Sequence, residues 1–186
     1  FENGLSSDKL AILEIPNFGS AMNRFTPHAA AETQWTFDGP EIFKSGIRAM
    51  GSASEKAIEK SNLTKEDIDL LIPHQANLRI VEGLEKNLKL PNATTLKYVY
   101  KYGNTSAASI PTAFVDGLED GTIKGGETIV ITAVGAGLAW GAAAIKLGTR
   151  VTPLGETDAA LPEYDGTGLD TIREAIDYYV PGKLDN

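Results

Sequence analysis

Ile72-Pro73-His74-Gln75-Ala76-Asn77-Leu78-Arg79-Ile80 is the stretch from which the rest of the chain is read. The apolar run before it, Ile68 to Ile72, reads as a short buried strand that stops at a proline. From Ala76 to Lys89 the apolar residues at 78, 81, 84 and 88 mark an amphipathic helix. His74 therefore stands at the end of a strand and the start of a helix, where open α/β sheets place their ligands. Its side chain is also the one that most readily exchanges a proton near neutrality. The competing reading of a lone histidine is a capping or core-edge residue.

A second unit repeats the arrangement. Tyr102-Gly103-Asn104-Thr105-Ser106-Ala107-Ala108-Ser109 follows a β-rich run, Leu96 to Tyr100, and precedes a helical one. The pattern predicts a short strand over 95–101. A helix follows through Phe114 to Leu118, with Ser106 and Ser109 available as caps and Pro111 tolerated only in its first turn. Asn104 then occupies the same kind of position as His74, at the end of an adjacent strand. Two polar side chains so placed can converge on one ligand atom, and paired donors aimed at a developing oxyanion are a common catalytic device.

The flanking segments supply the rest of a mixed α/β pattern. Leu10 to Ile15 reads as a short strand, and Pro16 to Asp38 as a long connection of the kind that is often functional. From Pro40 to Ser61, Phe43, Ile47, Met50, Ala53 and Ala57 share one helical face. Gly46 and Gly51 inside that helix cost about 1 kcal/mol each against Ala, which points to close packing on a neighbour. Thr64 caps a single turn, and Pro91-Asn92 reverses the chain. Glu127 to Val134 is a β-branched strand, Gly135-Ala136-Gly137 a bend, and Trp140 to Leu147 a returning strand. No G-x-G-x-x-G precedes a helix, so the glycines do not read as a phosphate loop. Beyond Arg150, Thr167 or Asp170 caps a helix whose Leu169, Ile172, Ile176 and Tyr179 share a face, and Pro181-Gly182 stops it.

The composition narrows the function. The chain has 186 residues, enough for one domain with a real core, and no cysteine, so it holds no disulfide and no thiolate nucleophile. Its formal charge is −8. From Arg150 onward, eight acids and three bases give −5; the preceding 149 residues hold 17 acids and 14 bases, or −3. A nucleic-acid partner needs a basic stripe, and none is visible. No apolar run reaches membrane-spanning length. The start at Phe1 is neither an initiator methionine nor a signal peptide, and the expectation is a piece of a longer protein.

Pro73 to Ile80, Tyr102 to Ser109, and Gly135-Ala136-Gly137-Leu138-Ala139-Trp140-Gly141 together closely resemble β-ketoacyl-acyl-carrier-protein synthase III. The resemblance runs in order and at matching spacing from about Leu10 to Leu147. It implies an α/β, thiolase-type fold, of which this chain would be most of the second half: a mixed sheet with flanking helices. Residues 1–149 would form that half-domain without its first strands, and 150–186 a C-terminal extension. The nucleophilic cysteine would belong to the N-terminal half, as a separate chain or a cleaved portion, at a helix N-terminus that lowers a thiol's pKa.

The implied reaction is decarboxylative condensation of an acyl-coenzyme A primer with malonyl-carrier protein. His74 and Asn104 would be catalytic, and the backbone N–H of Ala136 part of the acyl oxyanion hole. Asn77, Ala76, Phe43 and Gly39 would bind substrate or coenzyme A, and Phe25, Trp35 and Phe37 would either lie along the channel or, on the plainer reading, pack as an ordinary loop. Arg79, Lys44 and Lys86 would dock the acidic carrier protein, against the plainer reading of solvated charge. His28 has no partner motif. The resemblance implies no permanently bound cofactor and no metal, with acyl-coenzyme A as substrate. It also implies a homodimer of the complete enzyme, a cytoplasmic location, and no nucleic acid or membrane span.

Two positions depart from the family pattern. Val134 stands where the family has a phenylalanine thought to help the carboxylate leave, and Pro40 where it has an asparagine that meets the cofactor. They keep open an acyltransferase of the same fold that does not decarboxylate malonate. A further alternative, of a different class, is a non-catalytic subunit that binds carrier protein.

Overall fold

The computed structural model describes residues 1–15, 36–153, 155, 158–160, 163, 165–170 and 172–173. Two units are separable: Phe1–Pro16 with Gln34–Thr152, and Asn17–Thr33 with Pro153–Asn186. In the second unit, residues 168–170 and 172–173 are helical. The Thr167 hydroxyl accepts from Asp170 N at 3.2 Å, while Asp170 Oδ2 accepts from Thr167 N at 2.8 Å, a reciprocal cap. Leu169 and Ile172 are exposed, and Ile176 and Tyr179 lie outside the described residues.

The first unit contains β1 (Glu2–Leu5), β2 (Leu13–Glu14), β3 (Thr36–Phe37), α1 (Gly39–Lys60), β4 (Leu70–Pro73), α2 (Leu78–Leu88), β5 (Thr94–Thr95), α3 (Val99–Tyr102), α4 (Ser109–Glu119), β6 (Thr128–Gly135) and β7 (Ala139–Lys146). Its main sheet runs β1-β7-β6-β4-β5, and β2 and β3 form a separate ribbon. β4 is parallel to both β5 and β6, and β7 is antiparallel to β6 and β1. The sheet is therefore mixed, as the family resemblance implies.

Every residue of β4 is buried, so both faces of the sheet must be covered. Strand periodicity sends Leu71 to one side, with Met50, Leu84, Leu88 and Val130 beneath α1 and α2. Leu70 and Ile72 face the other side, with Leu96, Ala113 and Ile129 beneath α4. Burying one such side chain contributes roughly 1.5–3 kcal/mol.

α1 and α2 begin where side chains supply caps. Asp38 Oδ1 accepts from Glu41 N at 3.1 Å at the start of α1, with Pro40 in its first turn. Asn77 Oδ1 accepts from Ile80 N at 3.0 Å at the start of α2. Thr64 and Asp67 cap the single turn Lys65–Asp67 reciprocally. The helical glycines do mark close packing. A Cβ on Gly46 would sit 3.4 Å from Val134 Cγ1, and one on Gly51 would sit 2.3 Å from Asn87 Oδ1. In the bend between β6 and β7, Gly137 has φ +142° and leaves only 2.7 Å between a hypothetical Cβ and Ala139 N.

Three local expectations are corrected. Leu10 to Ile15 is not a strand throughout: Ser7–Ile12 is a 3-10 turn, and only Leu13–Glu14 pairs. The strand expected over 95–101 is confined to Thr94–Thr95, and Val99–Tyr102 is helical. There a buried side chain replaces a neighbouring strand. Gln75 Nε2 donates to Leu96 O at 3.2 Å and to Pro73 O at 2.8 Å, and its Oε1 accepts from Val99 N at 3.1 Å. With those groups satisfied, the chain coils: Tyr98 O accepts from Lys101 N, and Gly103, at φ +68°, closes the turn. Third, neither Ser106 nor Ser109 caps α4 with its side chain.

Replacing Gln75 by Leu keeps the volume but strands three backbone partners, each costing about 1–3 kcal/mol if left unpaired and buried. The expected result for Gln75→Leu is a loss of about 2 kcal/mol or more in urea unfolding, with faster hydrogen exchange at Val99. An unchanged unfolding midpoint would show that the clamp is dispensable.

Candidate active site

The C-terminal ends of β4 and β6 and the turn after α3 surround a cavity of about 520 Å³. His74, Asn104, Ser109, Val134 and Ala136 line it, with Phe37 at its edge. Thus the two side chains singled out by the sequence share one cavity, although Asn104 reaches it from the turn after α3, not directly from a strand.

His74 is anchored from two sides. Its backbone N donates to Thr132 O at 2.8 Å, continuing the β4–β6 ladder beyond Pro73. Its Nδ1 lies 2.6 Å from Ser109 Oγ, which also accepts from Gln75 N at 3.2 Å. Burial holds the imidazole pKa below its ordinary value of 6.5, because desolvation disfavours the charged ring. At neutral pH burial therefore favours the uncharged ring.

Asn104 is exposed, and its Oδ1 accepts from Ser106 N at 2.9 Å in a local turn. That bond fixes which end of the amide is which, since only the oxygen can accept from a backbone N–H. The Nδ2 amide is left as the donor. Ser106 has φ +52°, an uncommon value for a residue with a Cβ.

The other expected positions fall into separate places. Ala136 stands in the bend between β6 and β7, on the cavity wall. Val134 is part of that wall and also faces Gly46 of α1. Phe43 is half-buried against the α1–α2 core, and the Arg79 guanidinium lies over its ring, 5.7 Å from the centroid. Ala76 also packs against that core. Asn77 uses its carbonyl to cap α2, leaving its amide NH₂ outward. Gly39 opens α1, 3.5 Å from the Phe37 ring at its Cβ position. Lys44, Arg79 and Lys86 are all exposed, and none forms a salt bridge among the described residues. Phe25, His28 and Trp35 lie outside the described residues.

Two residues of this site were not anticipated as parts of it. Ser109 reads as a cap in the sequence, yet it shares the buried stripe of α4 with Ala113 and Asp116, at spacings of four and three. That periodicity is the signal that points it inward. Gln75 carries no sequence signal beyond its place beside His74.

Residues 58–147 match the family described as 3-oxoacyl-(acyl-carrier-protein) synthase III C terminal. Those residues carry the C-terminal domain of the 3-oxoacyl-(acyl-carrier-protein) synthase III family. It is 44% identical over 169 residues to the beta-ketoacyl-(acyl-carrier-protein) synthase III 2 of Vibrio cholerae, covering 90% of this chain and 46% of that one. Among solved structures, the synthase III of Pseudomonas aeruginosa PAO1 superposes with a TM-score of 0.69 at 28% identity, over 82% of this chain and 44% of that one. The Thermus thermophilus synthase III gives 0.65 at 35% identity, over 80% and 46%. The chain therefore spans about half the length of the synthases it matches, has their thiolase-type α/β fold, and corresponds to their C-terminal portion. No helix among the described residues is long and apolar enough to cross a membrane.

The lowered pKa of His74 has a definite sign in stability. The unfolded chain takes up the proton first as pH falls, so stability is lost on the acid side of 6.5. His74→Asn removes this contribution, and its urea midpoint between pH ~7 and ~5 is expected to fall less steeply than that of the parent. Parallel curves would mean that His74 titrates alike in both states.

Proposed function

We propose that this chain supplies the decarboxylation side of a condensing-enzyme active site. Its cysteine-bearing counterpart, in the other half of the enzyme, supplies the acyl-transfer side. The observation that carries this reading is that His74 and Asn104 line one cavity, each with one polar atom engaged by a neighbouring protein group and the other left over.

An acyl group passes from coenzyme A to the cysteine thiolate, and coenzyme A thiol leaves. Malonyl-carrier protein then enters. Its carboxylate C–C bond breaks, carbon dioxide departs, and the electron pair moves onto the thioester, whose oxygen becomes negative. His74 and Asn104 donate to that oxygen; a donor of this type is typically worth about 3–4 kcal/mol. The enolate carbon attacks the acyl-enzyme, the tetrahedral oxyanion rests on the Ala136 N–H, and the thiolate leaves as the 3-ketoacyl product forms. Arg79 and Lys44 receive the acidic carrier protein, with Lys86 farther along the same face of α2, seven residues on.

Val134 favours one second reading. It gives the cavity wall less apolar bulk than an aromatic ring would. An enzyme that takes up acyl groups but never releases carbon dioxide would be an acyltransferase of the same fold.

In the complete enzyme, Asn104→Ala is expected to accept label from acyl-coenzyme A onto protein while the release of carbon dioxide falls about 10²- to 10³-fold. Loss of acylation with decarboxylation spared would invert the assignment, and wild type that acylates without decarboxylating would select the acyltransferase. Arg79→Glu is expected to raise the KM for malonyl-carrier protein while acyl-coenzyme A transfer stays nearly constant. That effect should shrink at high salt, since exposed charges are screened over roughly 8 Å at physiological ionic strength. Equal losses in both steps would make Arg79 structural, as its seat on the Phe43 ring allows.

A further inference from the structure

We infer that Ser109 is a positioning residue that fixes the tautomer of His74, donating its hydroxyl hydrogen to Nδ1 so that Nε2 carries the ring proton. This rests on the reading of His74 as an oxyanion donor, and extends it to the residue that makes the donor.

The assignment follows from counting hydrogens. A serine hydroxyl has one hydrogen and two lone pairs. One lone pair of Ser109 Oγ is taken by Gln75 N–H at 3.2 Å. The 2.6 Å contact with His74 Nδ1 then has two arrangements. Either the hydroxyl donates to a bare Nδ1, leaving the proton on Nε2, or a protonated Nδ1 donates to the second lone pair. In the second arrangement the hydroxyl hydrogen needs another acceptor. Among the described residues, Ser109 Oγ contacts no hydrogen-bonding group other than His74 Nδ1 and Gln75 N. Ser109 is only 3% exposed, so water does not readily substitute. A buried hydroxyl hydrogen left without a partner disfavours that arrangement by roughly 5- to 150-fold. The first arrangement prevails, and burial keeps the ring neutral, so it exists as a tautomer and not as an imidazolium.

The consequence is chemical. With Nδ1 held by Ser109, Nε2 is the ring nitrogen left for a ligand in the cavity that His74 lines. As N–H it donates to a developing oxyanion; as a bare nitrogen it repels one. The segment 104–109 thereby prepares both donors. Ser106 N occupies Asn104 Oδ1 and exposes Nδ2, and Ser109 Oγ occupies His74 Nδ1 and exposes Nε2–H. Gln75 N, by taking one lone pair of Ser109 Oγ, anchors the hydroxyl beside the ring, and among the described residues the hydroxyl hydrogen then has only Nδ1 to meet.

The test is a long-range proton–nitrogen correlation spectrum of the complete enzyme labelled at histidine, with His74→Gln identifying the signal. The expected result is a protonated Nε2 and an unprotonated, hydrogen-bonded Nδ1 at neutral pH. Ser109→Ala should give a mixture of tautomers and lower the decarboxylation rate by roughly tenfold or more, by analogy with the loss of a hydrogen-bond partner that orients a metal-bound histidine. Cysteine acylation should be unaffected, and Ser109→Thr, which keeps the hydroxyl, should restore both the tautomer and the rate. A wild-type His74 protonated on Nδ1 overturns the inference, and because that result needs no variant it stands even if Ser109→Ala fails to fold. An unchanged tautomer and unchanged decarboxylation in a folded Ser109→Ala overturn it as well. The underlying reading fails separately: His74→Ala that still decarboxylates at the wild-type rate would remove His74 from the reaction whatever its tautomer.

Discussion

Leu70–Pro73 has parallel strands on both sides and buried side chains on both faces, and the placement of the other elements follows from that double burial. A strand so enclosed needs a helical layer above and below, which α1 with α2 and α4 provide through two separate apolar clusters. Parallel pairing also requires crossovers, so the strand ends converge on one edge. His74 emerges at that edge because its backbone N still belongs to the β4–β6 ladder, bonded to Thr132 O. The position of the ring is thus set by a strand buried along its whole length.

Beyond the ladder, side chains take over the backbone's role. Gln75 ties the end of β4 to the exit of β5 and the start of α3, and α3 is tied to α4 in turn. Lys101 Nζ and Tyr102 Oη reach the buried Asp116 at 3.1 and 3.0 Å. The turn bearing Asn104 is therefore held from both ends while the amide itself stays exposed. Rigid support under an accessible donor suits a group that must meet charge only as it develops, because little reorganisation remains at that moment.

The long periodic elements were legible in the sequence. α1, α2, β6 and β7 each carry enough repeats of their pattern for the core face to be read, and the glycines of α1 announced its close neighbours. Where the structure departs from the pattern, a tertiary hydrogen bond has displaced a local preference. β5 ends after two residues because Gln75 satisfies Leu96 O and Val99 N, and no local propensity encodes that. Ser109 reads as a cap because first-turn serines usually are; only its spacing to Ala113 and Asp116 shows that it faces inward. His74 and Asn104 were recognisable from their motifs, but which of their atoms remain available to a ligand depends on contacts from residues 35 and two positions away.

The most direct measurement is a crystal structure of the complete enzyme with a malonyl thioester analogue that cannot lose carbon dioxide. The expected result is a thioester oxygen about 2.7–3.1 Å from both His74 Nε2 and Asn104 Nδ2, with Ser109 still on Nδ1. A thioester oxygen held by the Ala136 N–H alone, with the imidazole and the amide turned away from it, would contradict the assignment.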